Sequence, residues 1–251
     1  MTSSRPQRIN LITIPGTDFV ALADDANLTP RALTAGTIAI ESELAELPEV
    51  QALGPGDLVL DVGAFIGDTA LIFAATGAVV YAYEPQVDAA FAARWNLRNE
   101  KHVHFIEAAV GDGRPVVINS DPIGCNLGTR TVSAAPYGFQ VSKRLDDIAP
   151  TWPTFIKIDV EGFEPAVIHG AISTLKTFRP TLLIEIYPEL LARNGWTPDD
   201  VTRPLVELGY TIREAIGNST EPRWDIICHH AADPTRGDQL RSNDRDALQS
   251  V

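Results

Sequence analysis

Leu58-Val59-Leu60-Asp61-Val62-Gly63-Ala64-Phe65-Ile66-Gly67-Asp68-Thr69 is the stretch that decides the fold. The run 58–62 reads as a short buried strand, and residues 68–75 read as a helix with Gly77 just past its end. Gly63 lets the chain turn tightly and approach a ligand, and Gly67 allows close packing where the helix begins. In an open parallel sheet, such a turn at the carboxyl end of a strand is where nucleotide-like ligands bind.

The side chains of the turn narrow the ligand. A P-loop needs GxxxxGK[ST]; here the glycines are one residue closer, and Asp68 stands in place of the lysine. A GxGxxG dinucleotide fingerprint would put its second glycine at Phe65, where a side chain obstructs a pyrophosphate. Its third would fall at Asp68, whose charge opposes a diphosphate at a helix N-terminus. With Asp61 just before it, the turn is acidic. It suits a nucleoside carrying an ammonium and a sulfonium better than a diphosphate. Glu84 follows Gly63 by 21 residues, precedes Pro85 and ends the next apolar run, where a carboxylate accepts hydrogen bonds from both ribose hydroxyls. That feature alone fits NAD equally well.

Outward from this core the pattern repeats. Residues 79–83, 102–107, 155–159 and 181–186 read as strands, and 87–99, 164–175 and 199–208 as helices. Two closing strands are expected at 210–215 and 224–228. Short apolar strands alternating with helices specify an α/β fold with a mostly parallel sheet. Residues 116–118 form a further candidate strand, and 119–137, rich in Gly, Ser, Thr, Pro and Asn, read as a long loop. Residues 1–50 read as a cap segment, with a short strand before Pro15-Gly16 and a helix over 38–47. Residues 51–230 form the main domain, and 231–251 a polar tail.

The chain has 251 residues, 45% of them hydrophobic and 21% charged, which is globular composition. Its 20 basic and 33 acidic residues give a net charge of −13. Such a chain repels phosphate backbones and anionic lipid, so neither nucleic acid nor membrane is an expected partner. Cys125 and Cys228 are too far apart for a CxxC site. No apolar signal core or membrane-length run occurs, so a cytoplasmic location is expected.

The order Gly56-Asp57-Leu58 through Thr69, then Tyr83-Glu84-Pro85, then Ala108-Ala109-Val110-Gly111-Asp112, resembles class I S-adenosylmethionine-dependent methyltransferases. Arg144-Leu145-Asp146-Asp147, Ile156-Lys157-Ile158-Asp159-Val160-Glu161-Gly162-Phe163-Glu164, Arg179-Pro180 and Glu185-Ile186 resemble the FkbM family more narrowly. The resemblance spans about residues 54–215. It implies a Rossmann-like, seven-stranded, mostly parallel sheet with one antiparallel strand near the C-terminus. It also implies that Asp61 and Gly63 face the methionine moiety, Glu84 the ribose, and Glu107-Ala108-Ala109 the adenine, with Asn96 either supporting that edge or standing exposed on its helix. The cofactor-binding set is thus Asp61, Gly63, Ala64, Phe65, Gly67, Asp68, Thr69, Glu84, Pro85, Ala108 and Ala109.

Methyl transfer to a hydroxyl needs alignment and removal of one proton. Asp159, Glu161 and Glu185 lie at the ends of adjacent expected strands and are the catalytic candidates. They are placed to hold the acceptor hydroxyl, take its proton or bind Mg²⁺ through oxygen ligands; sequence alone assigns no residue as a metal ligand. Trp152, Trp196 and Tyr187 either line an acceptor pocket or pack in the core or rim, and His169 reads as an exposed helix residue. The expected function is S-adenosylmethionine-dependent O-methylation of a small natural-product or sugar-type acceptor. The alternatives are an NAD-dependent oxidoreductase and a non-catalytic nucleoside-binding module. Homo-oligomerisation stays open.

Overall fold

The computed structural model describes residues 10–25, 27–39, 41–118, 132–134 and 140–231. In chain order the elements begin with β1 (Leu11–Thr13), β2 (Val20–Leu22), α1 (Leu28–Ala35), α2 (Ser42–Glu46) and α3 (Pro48–Gln51). Next come β3 (Leu58–Val62), α4 (Asp68–Ala75), β4 (Val79–Tyr83), α5 (Val87–Asn96), β5 (Val103–Ile106), β6 (Pro115–Ile118), β7 (Val132–Ala134), β8 (Gln140–Val141) and α6 (Leu145–Ile148). The last are β9 (Phe155–Ile158), α7 (Glu164–His169), α8 (Ile172–Phe178), β10 (Thr181–Ile186), α9 (Pro188–Arg193), α10 (Pro198–Glu207), β11 (Tyr210–Ile216) and β12 (Trp224–His230).

Seven strands form one sheet in the order β11-β12-β10-β9-β3-β4-β5. β3, β4, β5, β9 and β10 run parallel, and β12 is antiparallel to both β10 and β11. The fold is α/β of the class I methyltransferase type, with the reversed strand near the C-terminus. Successive strand residues point to opposite faces. Leu58, Leu60 and Val62 pack with Ile156, Ile158, Ile184 and the apolar sides of α7, α8 and α10. Val59 joins Val80, Ala82, Phe155 and Phe73 under α3, α4 and α5. The order reverses between β3 and β9, and there Val62 pairs with both Tyr83 and Ile158. That is the switch point at which such a sheet opens a cleft.

Residues 11–38 build a smaller core. Ile14, Val20, Leu22, Leu28, Ala32 and Ile38 pack on Ile66, Ala89 and Ala92. Asn96 clamps this cap. Its Oδ1 accepts from the Val20 amide at 2.8 Å, and its Nδ2 donates to the carbonyls of Val20 and Ile66 at 2.9 Å. Asn96 therefore ties the cap to the glycine turn and does not support an adenine edge.

Other expectations are corrected. The helix over 164–175 is two helices, broken at Gly170-Ala171. A Cβ on Gly170 would lie 1.9 Å from the Gly111 carbonyl oxygen, so backbone contact fixes the break. The loop over 119–137 contains β7, which pairs antiparallel with β6; 119–131 and 135–137, with Cys125, lie outside the described residues. The helix over 38–47 shortens to α2, because Leu47 before Pro48 is extended. No helix among the described residues is long and apolar enough to cross a membrane.

Candidate active site

A cavity of about 600 Å³ opens at the carboxyl edge of the sheet. Gly63, Phe65, Asp68 and Thr69 line it after β3, Glu84 and Pro85 after β4, and Ala108 and Ala109 after β5. Asp159 and Glu161 follow β9, and Glu185 comes from β10. Because β12 runs the other way, its first residues, Trp224 and Asp225, reach the same edge. The cap adds Arg31, Glu41 and Glu43, and the β11–β12 connection adds Glu221 and Arg223.

Three members of the expected cofactor set lie off the wall. Ala64 is in the core. Gly67 begins α4 at φ 89°, with Leu97 only 2.9 Å from where a Cβ would sit, as the close-packing expectation required. Asp61 is fully buried. Its Oδ2 accepts from Thr69 Oγ1 at 2.7 Å, and its Oδ1 lies 4.0 Å from Lys157 Nζ. Gly63 is required by the protein itself. At φ 90°, its Cβ would fall 1.7 Å from the Asp159 carbonyl oxygen. The glycine thus lets β3 and β9 meet where both chains leave the sheet.

Glu84 bridges two turns. Its Oε2 accepts from the Phe65 amide at 3.0 Å and its Oε1 from the Gln86 amide at 2.8 Å. Burial pushes its pKa up to about 8, against the pull of those two donors. Burial likewise raises Asp68, at the start of α4, to about 8, reinforced by Glu41.

Asp159, Glu161 and Glu185 each bring a carboxylate oxygen within 4.8 Å of the others. Asp159 Oδ2 accepts from Lys157 Nζ at 2.9 Å, and Glu185 Oε1 from Arg223 Nη1 at 3.2 Å. Burial alone would lower Lys157, but Asp159 and Asp61 outweigh it and hold the ammonium above the usual lysine range. Glu161 differs from Asp159. Its Oε2 is buried without a hydrogen-bond partner, as is that of Glu185. Burial and the adjacent carboxylates raise both groups well above the usual range.

Glu161 holds φ 56° and Gly162 φ 94°, two successive left-handed residues. The turn is pinned by Glu164, whose Oε1 accepts from the amides of Val160 and Gly162, both at 3.1 Å. Asn194 Nδ2 donates to the Gly162 carbonyl at 3.0 Å. A non-glycine residue held left-handed in a fixed turn stores strain, and such positions cluster at functional sites.

Sequence reasoning did not single out Glu164, Arg223, Asp225 or the cap acids Glu41 and Glu43. Trp152, Trp196 and Tyr187 do not line the cavity. Trp196 instead stacks on Phe163 at 5.5 Å, and Trp152 packs on the core. The aromatics on the wall are Phe65, Tyr83 and Trp224.

The sequence profile described as "Methyltransferase FkbM domain" matches residues 61–212. A methyltransferase FkbM from Methylobacillus flagellatus KT, solved as a crystal structure, superposes with a TM-score of 0.53 at 16% identity. The overlap covers 84% of this chain and 56% of that one, so this chain matches little more than half the length of that relative. A precorrin-6y C5,15-methyltransferase from Geobacter metallireducens GS-15 gives 0.49 at 15% identity, over 78% and 89% of the two chains. A TehB-like SAM-dependent methyltransferase from Corynebacterium glutamicum ATCC 13032 Kitasato gives 0.49 at 14%, over 80% and 94%. No curated protein matches the chain by sequence.

Proposed function

The chain belongs to the FkbM methyltransferase family, and we propose that it moves a methyl group from S-adenosylmethionine to a hydroxyl oxygen of a small sugar- or polyol-type natural product. The observation that carries this reading is the acidic turn. Where a dinucleotide site presents bare helix amides to a pyrophosphate, α4 begins with buried Asp68 facing the cavity. A cationic nucleoside fits that wall and a diphosphate does not. Glu84, fixed by two amides, presents its remaining lone pairs to a ribose, and Gly63, Phe65, Thr69, Pro85, Ala108 and Ala109 complete the cradle. Asp61, behind Thr69 and Lys157, orients both without touching the ligand.

S-adenosylmethionine supplies a methyl group on a sulfonium, whose S–CH₃ bonding pair leaves with sulfur as a neutral thioether. The acceptor oxygen forms the new O–CH₃ bond, and its proton passes to the protein. Glu161 is the group suited to take it. Its carboxyl is more basic than usual, and its Oε2 has no other partner. Asp159, held by Lys157, orients the hydroxyl. Glu161→Gln keeps the volume and removes the base, so turnover should fall about 10²–10⁴-fold with unchanged affinity for S-adenosylhomocysteine.

The three carboxylate oxygens within 4.8 Å favour a second reading, Mg²⁺ held by Asp159, Glu161 and Glu185, which would acidify the hydroxyl. Calorimetric titration separates the possibilities. Saturable binding of S-adenosylhomocysteine but not NADH supports methyl transfer, and preferential NADH binding overturns it. Mg²⁺ binding lost in Glu185→Gln supports the second reading.

A further inference from the structure

We propose that the acceptor carries a protonated amine beside its hydroxyls, as amino sugars and aminocyclitols do; the inference rests on the methyl-transfer reading with Glu161 as base. Ten carboxylates face the cavity from its described lining, against three cations. Each cation is already committed to a lining acid: Arg31 to Glu41 at 3.6 Å, Lys157 to Asp159 at 2.9 Å and Arg223 to Glu185 at 3.2 Å. Acids therefore outnumber cations, and nothing in the described lining would neutralise a phosphate or carboxylate on the acceptor.

The charge is also structured. Deep in the cleft, the Oε2 atoms of Glu161 and Glu185 are sealed from solvent without a donor. Buried carboxylate oxygens left unpaired are costly, and an ammonium supplies three donors to them. At the mouth, exposed Glu43 and Glu221 extend the negative field outward and attract cations before contact. Trp224 lies on the same wall, and an indole offers its face to an ammonium or to the C–H face of a sugar. A neutral polyol would leave both orphaned oxygens competing for hydroxyl donors alone. An amine on Glu185 Oε2 satisfies that oxygen and leaves Glu161 Oε2 to take the proton of the hydroxyl that Asp159 orients.

The test uses the full chain saturated with S-adenosylhomocysteine, titrated calorimetrically with 2-deoxystreptamine, glucosamine, scyllo-inositol and glucose 6-phosphate. The expected result is binding of the two amines at least tenfold tighter than the neutral cyclitol, with no binding of the phosphate. Amine affinity should fall as salt rises. Glu43→Gln combined with Glu221→Gln, at two exposed positions outside the proposed chemistry, should weaken amine binding severalfold and leave S-adenosylhomocysteine binding intact. Equal affinity for scyllo-inositol and 2-deoxystreptamine overturns the proposal. So does Mg²⁺ alone binding at micromolar concentration and abolishing the preference for amines, because the orphaned oxygens then serve a metal. Failure of S-adenosylhomocysteine to bind defeats the methyl-transfer reading itself, whereas its binding without an amine preference defeats this inference alone.

Discussion

Replacing Glu84 with Gln isolates the ribose contact with almost no change in volume. In the native chain, each carboxylate oxygen takes one amide, Phe65 N–H on Oε2 and Gln86 N–H on Oε1. A carboxamide has one acceptor oxygen, so one of these donors must face an NH₂ group. An unmade hydrogen bond at a buried donor costs about 1–3 kcal/mol, which in a chain of this size lowers Tm by roughly 2–12 °C. The ligand loses in addition one charge-assisted bond to a ribose hydroxyl. That is about 1.5–3 kcal/mol, or roughly 10- to 150-fold in Kd. The sign of the pH dependence gives a second readout. Burial sets the Glu84 pKa at about 8, while ribose donors favour the ionised form. Binding therefore expels a proton, and wild-type affinity for S-adenosylhomocysteine rises as pH climbs from 6 towards 8; in Glu84→Gln this component is absent. Calorimetry on the folded variant, with Tm measured alongside, supplies both numbers. A Kd within threefold of wild type, or an unchanged pH slope, would show that Glu84 does not meet the ribose.

Three further outcomes follow from the same geometry. Gly63→Ala drives a methyl into the Asp159 carbonyl at a left-handed residue, so stability should fall by roughly 2–4 kcal/mol or more; a denaturation midpoint equal to wild type would refute the close approach of β3 and β9. Glu161→Gly relieves both the left-handed strain and an unpaired buried carboxyl; it should gain about 1 kcal/mol of stability while losing turnover, and a destabilised variant would contradict the strain assignment. Burial raises Asp68 and Glu84 to about 8 and Glu164 and Asp225 to about 7, from ordinary values of 3.8 to 4.5. The folded chain holds these protons more tightly than the unfolded one, so their stabilising effect is complete below the unfolded values and is lost as pH rises through 7–8. Tm without ligand should therefore decline from pH 5.5 to 8.5, and a rising Tm over that range would count against the buried-acid account.

The strand-turn-helix at 58–75 was legible because its signals are local. An apolar run, two glycines and a helix start all lie within one short window. The three carboxylates were legible for a related reason, since parallel strands deliver their carboxyl ends to one edge whatever their loops do. What stayed hidden depends on partners distant in sequence. The Val20 amide of the cap hairpin donates to the side chain of Asn96, 76 residues away, and no local pattern announces that. Gly170 ends a helix only because Gly111 passes beneath it. Trp224 and Asp225 reach the cavity because β12 is reversed, so the start of that strand occupies the place where its neighbours end. Glu164 looks like an ordinary first-turn acid, yet its buried carboxylate bonds back to Val160 and Gly162 and aims Glu161.

The charge pattern also explains why one sheet architecture can serve two ligand chemistries. The switch point between β3 and β9 gives the same opening to any doubly wound sheet, so backbone geometry alone does not choose between a dinucleotide and a sulfonium nucleoside. The choice lies in how the anionic side chains are held. Asp61 stays buried because Thr69 and Lys157 partner it, and Lys157 is in turn shared with Asp159. One cation thus binds the end of β3 to the end of β9, while Asp68, Glu161 and Glu185 are left to face the cleft. Arg223 meets only Glu185; had a further lysine or arginine neutralised Asp68 and Glu161, the wall could accept a phosphate. Without it, the acids are individually costly to bury and become favourable only when a positively charged ligand arrives. The strain at Glu161 and the raised carboxyl pKa values are therefore two consequences of one design, a site less stable when empty than a packed core would be and complementary to cations.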